Sequence, residues 1–135
     1  MSAPEFRTKL LLEATVSPSE DSEKVSRAMR NVLGDVVCEA RVSPGSVRLV
    51  TQDPRALVRI RDALRDRHVR PAAKRQMLIN STGRSTSLML NRQAAAAGVI
   101  ALCGSPEESP LGPIYLTLHS EKIGSAIDWL TTYPG

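Results

Sequence analysis

The sequence predicts an α+β fold, a mainly antiparallel sheet with helices packed on one face, and two patterns carry that reading. Several short segments alternate apolar and polar residues in steps of two, and between them run segments whose apolar residues recur three and four apart. The alternation leaves one strand face polar, so one side of the sheet is left partly to solvent or a partner. At 135 residues, with 41% hydrophobic and 24% charged residues, the chain is long enough for a single domain, 1–135, with its own core.

Phe6, Thr8, Leu10, Leu12, Ala14 and Val16 alternate with Arg7, Lys9, Leu11, Glu13 and Thr15, the period of a strand with one buried face. After the turn Ser17, Pro18, Ser19, a helix is predicted from Val25, Ala28, Met29, Val32 and Leu33, with Asp21 as N-cap and Gly34 as C-cap. Val36, Cys38, Ala40 and Val42 alternate with Val37, Glu39 and Arg41, and with the turn Ser43 to Ser46 and the run Val47 to Thr51 they read as a β-hairpin. Asp53 and Pro54 open a second helix whose apolar side carries Leu57, Ile60, Leu64 and His68, which makes His68 a buried or half-buried structural histidine. Pro71 stops that helix and starts a third, ending near Gly83.

Ser85 to Asn91 reads as a strand with Thr86, Leu88 and Leu90 on one face and Ser85, Ser87 and Met89 on the other. Arg92 to Ala97 is a brief helix capped by Asn91 and Gly98, and Val99 to Leu102 is an apolar run consistent with a buried strand. A loop from Gly104 to Gly112 leads to a strand with Ile114, Leu116 and Leu118 on one face. Ser120 then caps a final helix carrying Ile123, Ile127 and Leu130.

Charge is distributed unevenly over these elements. Between Arg55 and Arg92 stand ten basic residues and two acids, Asp62 and Asp66, a local balance of +8 in a chain whose net charge is +4. Such a concentration of like charge is commonly neutralised by a polyanion. Asp62 can pair with Arg59 or Arg65 and Asp66 with Arg70, along one helix face; the excess that remains selects Arg61, Arg67, Arg70, Lys74, Arg75, Arg84 and Arg92 as contact residues. Ser85 and Ser87, beside Arg84 in the polar run Asn80 to Ser87, add hydroxyls able to reach phosphate oxygens or ribose hydroxyls. Arg92 has little structural rationale in the first turn of a helix, where the dipole disfavours a cation. Arginine outnumbers lysine fourteen to four, which suits bidentate phosphate contacts and ion-pair networks alike.

Other classes find little support. His68 and His119 are the only histidines, neither has a metal-ligand partner at a recognisable spacing, and no Ser, Cys or Asp falls in a nucleophile motif, so no catalytic residue, metal or cofactor is expected. Cys38 and Cys103 sit in apolar segments, where a thiol behaves as a small hydrophobe. No apolar run resembles a signal peptide or a membrane span, so a cytoplasmic protein without membrane contact is expected. The four aromatics, Phe6, Tyr115, Trp129 and Tyr133, all lie outside the basic window, whereas single-strand binders stack bases on rings close to their cationic groove.

Three stretches resemble one archaeal family: Val16 to Val25 (V-S-P-S-E-D-S-E-K-V), Ser85 to Ala95 (S-T-S-L-M-L-N-R-Q-A-A) and Glu108 to Ile114 (E-S-P-L-G-P-I). They are similar to uncharacterised protein family 0201, whose members are described as RNA-binding proteins and predicted exosome subunits. Ser22 stands where relatives often have proline, which leaves the helix start open by a residue. The resemblance implies a curved sheet with helices on one side, similar to the fifth protein of the large ribosomal subunit. It supplies no catalytic residue.

The expected function is non-catalytic recognition of structured RNA through phosphates and sugars, as an accessory of an RNA-processing complex. The alternative is a protein-interaction subunit or homodimer whose basic face binds an acidic partner.

Overall fold

The computed structural model describes residues 7–132. The elements follow in the order β1 (Lys9–Thr15), α1 (Ser22–Leu33), β2 (Glu39–Ser43), β3 (Ser46–Thr51), α2 (Pro54–Asp66), α3 (Arg70–Ile79), β4 (Ser85–Leu90), α4 (Arg92–Ala96), β5 (Ile114–His119) and α5 (Ile123–Thr131). All strand pairings are antiparallel, in the order β2-β3-β1-β5-β4, and the open five-stranded sheet has the helices on one face. Phe6 lies outside the described residues.

Period-two alternation decides which face is covered. Leu10, Leu12 and Ala14 of β1, Val47 and Leu49 of β3, Leu88 and Leu90 of β4, and Ile114, Leu116 and Leu118 of β5 are all buried. They meet Val25, Met29 and Val32 of α1, Leu57, Ile60 and Leu64 of α2, Met77 of α3 and Ile127 and Leu130 of α5 in one core. The opposite face carries Lys9, Leu11, Glu13, Arg48, Val50, Ser85, Ser87, Met89, Tyr115, Thr117 and His119, and no described helix lies over it.

Three helix starts have side-chain caps. Asp21 accepts the Glu23 N–H at 2.9 Å, Asp53 the Arg55 N–H at 2.9 Å, and Asn91 the Ala94 N–H at 2.8 Å. Ser22 is the first helical residue of α1. Ser120 supports the turn before α5 by accepting the Lys122 N–H at 3.1 Å.

Several expectations need correction. His68 is exposed, at a φ of 56°, because α2 ends at Asp66 in a paired stop: His68 N–H donates to the Arg65 carbonyl and Val69 N–H to the Leu64 carbonyl. That motif needs a left-handed residue one place beyond the cap, and His68 occupies it. Val99 to Leu102 is not a strand; it makes a single bridge, Leu102 to Leu90, and lies along the edge of β4 with Ile100 buried. β2 begins at Glu39, and its Val42 is 58% exposed.

The loops are tied together at Arg92, which is buried, in contrast to the contact role expected of it. Its Nη1 donates to Glu20 Oε2 at 2.7 Å, its Nε to the Gly112 carbonyl at 3.1 Å, and its backbone N–H to Ser109 Oγ at 3.0 Å. The β1–α1 connection, the start of α4 and the loop before β5 thus converge on one guanidinium. Burial pushes the Glu20 carboxyl up, but the Ser17 N–H and the Arg92 guanidinium outweigh it and hold the group below its usual value of 4.5. A depressed carboxylate stabilises the fold above its unfolded pKa and loses that contribution as pH falls through the folded one. Glu20→Gln is expected to cost about 3 kcal/mol at pH 7, by leaving Arg92 buried and uncompensated, and to flatten the stability profile below about pH 4.5; urea unfolding at pH 7 and pH 3 measures both.

Candidate nucleic-acid interface

At one end of the sheet, four segments far apart in sequence meet. Lys9 of β1 and Ser85 of β4 are both registered against His119 of β5, and the Ser120 N–H donates to the Arg84 carbonyl at 2.9 Å. These contacts frame a cleft of about 790 Å³ lined by Arg7, Thr8, Lys9, Gln52, Arg84, His119, Ser120, Glu121 and Lys122. Four cations and one carboxylate line it. None of Arg7, Lys9, Arg84 and Lys122 forms an ion pair among the described residues. Thr8 is only 7% exposed and its hydroxyl has no hydrogen-bond partner. A buried hydroxyl left unsatisfied costs about 1–3 kcal/mol.

Of the residues expected from sequence, Arg84 lines this cleft, Ser85 borders it through His119, and Ser87 lies two residues further along β4. The Ser85 hydroxyl is 2.9 Å from that of Thr82, and the Ser87 carbonyl accepts from Asn80 Nδ2 at 3.1 Å, so the side chain of Ser87 keeps its own hydroxyl. Arg67, Arg70, Lys74 and Arg75 lie apart from it, at the end of α2 and on α3. There Lys74 Nζ stands 3.6 Å from Asp128 of α5, a half-exposed pair of small energetic weight.

Arg61 and Arg92 do not belong to a surface at all. Arg61 is buried, donates from Nη2 to the Thr132 carbonyl at 2.6 Å and stacks 4.4 Å from the centre of the Trp129 ring. It fastens the end of α5 to α2. Arg59 is likewise occupied, closing the C-terminus of α1 with two hydrogen bonds to the Asn31 carbonyl at 3.0 and 2.7 Å. Asp66 pairs with Arg65 rather than Arg70.

Arg7, Lys9, His119 and Lys122 are the cleft residues that sequence reasoning missed. Alternation does mark Lys9 and His119 as outward-facing, but the pairing of β1 with β5 spans most of the chain and leaves no local signal. Tyr115 is 41% exposed on the open face, between Glu13 and Met89 in register. One ring does not make a stacking platform.

Both cysteines are free thiols, and burial, with the nearby Glu108 carboxylate, pushes the Cys103 thiol up. Among the described residues no three His, Cys, Asp or Glu side chains cluster to hold a metal, and no helix is long and apolar enough to cross a membrane.

No family model matches the chain. A UPF0201 protein of Sulfurisphaera tokodaii is 35% identical over 127 residues, 92% of this chain and 87% of its own length. The chain belongs to the UPF0201 family. The UPF0201 protein of Pyrobaculum calidifontis is 34% identical over 135 residues, 96% of this chain and 93% of its own. Among solved structures, the UPF0201 protein of Methanococcus jannaschii shares the fold with a TM-score of 0.76 at 21% identity, over 92% of this chain and 99% of that one. An uncharacterized UPF0201 protein matches at 0.67 with 26% identity, over 82% of this chain and 81% of that chain.

Arg61→Ala is expected to lower stability by about 2 kcal/mol, through loss of charge-assisted hydrogen bonds and ring stacking, without weakening any nucleic-acid contact made by the cleft. Thermal unfolding beside a binding titration separates the two readouts.

Proposed function

We propose that this UPF0201 protein is a non-catalytic RNA-binding protein that holds structured RNA by phosphates and sugars at the sheet-end cleft. The observation that carries the reading is the meeting of Arg7, Lys9, Arg84 and Lys122, from three segments, around one opening without ion-pair partners among the described residues. Mutual repulsion makes that arrangement costly for the free protein, and a polyanion relieves it. The hydroxyl of Ser120 and the amide of Gln52 supply hydrogen-bonding groups for phosphate oxygens and ribose hydroxyls. The scarcity of exposed rings favours recognition by shape over the reading of single strands. Among the described residues that line the cleft, His119 and Glu121 are its one imidazole and one carboxylate, and they match no nucleophile motif, which supports binding over chemistry. The resemblance read from the sequence, to a family described as RNA-binding proteins and predicted exosome subunits, supports the same reading and a role as an accessory of RNA processing.

Fluorescence titration of a folded RNA at several salt concentrations tests the reading. Four phosphate contacts predict a slope of about −3 to −3.6 for the logarithm of affinity against that of salt. Replacing both Arg84 and Lys122 by Ala should reduce the slope magnitude by about 1.5 and weaken binding to different RNAs alike. If Arg67, Arg70, Lys74 and Arg75 replaced by Ala abolish binding while the cleft variant does not, the site lies on α3. Association that persists with an acidic protein after nuclease treatment, with no RNA affinity, would replace the RNA reading by a protein-binding one.

A further inference from the structure

The two edges of the sheet are finished differently. Along β4, Asn80 Nδ2 donates to the Ser87 carbonyl, Gln76 Oε1 accepts the Met89 N–H at 2.7 Å, and the Cys103 N–H donates to the Met89 carbonyl at 2.8 Å. Ser85 is closed by a reciprocal pair with Thr82, N–H to carbonyl at 2.8 and 2.9 Å. No room is left there for another strand.

β2 has no such cover. All five of its residues are exposed, Val42 is 58% exposed, and among the described residues no strand pairs with its outer side. An uncovered strand edge is a template for pairing, and natural edges are commonly blocked by a bulge, a proline, a covering segment or charged side chains. Of these, β2 has only charge within Glu39–Ser43, as Glu39 and Arg41, and those two signs are complementary.

We infer that β2 pairs antiparallel with β2 of a second copy, joining two five-stranded sheets into one. Charge fixes the partner and the register. On the open face Arg41 is registered against Arg48, an unfavourable like-charge pair, and Arg48 is committed to Glu13 on its other side at 3.1 Å. Arg41 itself has no carboxylate among the described residues. Antiparallel self-pairing that keeps both open faces on the same side allows only registers that set residues of the same strand face opposite one another. Centring on Arg41 would set the two Arg41 side chains opposite one another, beside two further arginines. Centring on Glu39 would oppose two carboxylates. Centring on Ala40 sets Glu39 of each copy opposite Arg41 of the other, twice per dimer, and completes a row of Glu13, Arg48, Arg41 and the second copy's Glu39.

The same register improves the apolar side. Ala40 and Val42 are registered with the buried Leu49 and Val47, so they share the helix-side face, and Cys38 lies there too, 3.4 Å from Arg30 Nη1. Centring on Ala40 brings each Cys38 against the other copy's Val42, covering side chains that the single chain leaves open. A groove of about 450 Å³ is lined by Val42 and by residues of α1 from Ser22 to Arg30.

Sedimentation velocity of the full chain from roughly 1 to 100 µM reads the association. The wild type is expected to dimerise within that range. Arg41→Glu sets two carboxylates opposite and should weaken the dimer at least about tenfold, as should Glu39→Arg with two cations. The double variant E39R/R41E restores both pairs with reversed polarity and should return the dimer constant to within about threefold of wild type. Circular dichroism of each variant confirms the fold, and exposed positions at this edge give no reason for it to fail. A wild type that stays monomeric throughout overturns the proposal and leaves the edge to a different protein's strand. A dimer indifferent to both single substitutions, or a double variant that does not recover, equally overturns it.

Discussion

Five antiparallel strands present two faces, and the chain's helices reach across only one of them, so every strand must sort its side chains by a strict period of two. β1 feels this most, because it is hydrogen-bonded on both sides and sits over the centre of the core. A one-residue slip of β1 would exchange Leu10, Leu12 and Ala14 for Lys9, Leu11 and Glu13 and place two charges under α1 and α2. Replacing one buried leucine, worth about 1.5–3 kcal/mol, and the buried Ala14 by a lysine and a glutamate without partners, at several kcal/mol for each buried ion, would by itself exceed much of a small domain's stability. Register, helix docking and the position of the sheet-end cleft all follow from that sorting.

The arginines show how little linear charge density says about surface charge. Arg59, Arg61 and Arg92 are spent within the molecule, on the end of α1, on α5 with Trp129, and on Glu20 with the Gly112 loop. Each satisfies carbonyls or a carboxylate that would otherwise be stranded, for which a planar guanidinium with several donors is better suited than lysine. The pairing argument that left Arg61 and Arg92 to a ligand counted only nearby acids along the chain. Arg92's partner, Glu20, is 72 residues away and no local pattern points to it.

What was legible had short range. The strand faces, the caps Asp21, Asp53 and Asn91, the hairpin at Ser43 to Ser46 and the restart of helix at Pro71 each depend on residues within a few positions of one another. His68 was misplaced because the apolar stripe was continued one turn past the true stop, where a left-handed residue was needed and no glycine announced it. Val99 to Leu102 was misread because apolar character reports burial and not pairing: the segment covers the β4 edge and places Ile100 in the core with one bridge. Of the cleft, Arg84 and Ser85 were legible as part of a basic, hydroxyl-rich run. Arg7, Lys9 and Lys122 were not, since β1–β5 pairing creates their neighbourhood.

The edge and the cleft have a geometric connection. A join through β2 has its two-fold axis normal to the sheet, which keeps both open faces on one side and sends the two clefts to opposite ends of the strands. With neighbouring strands about 4.8 Å apart, the midpoints between β1 and β5 in the two copies lie about 29 Å from each other across the strands. A ligand touching both must carry two separated rows of phosphates. A mononucleotide cannot do so and a folded RNA can, and the lateral order of the sheet, with the midpoint of β1 and β5 three strand spacings from the axis, sets that distance independently of any side chain in the cleft.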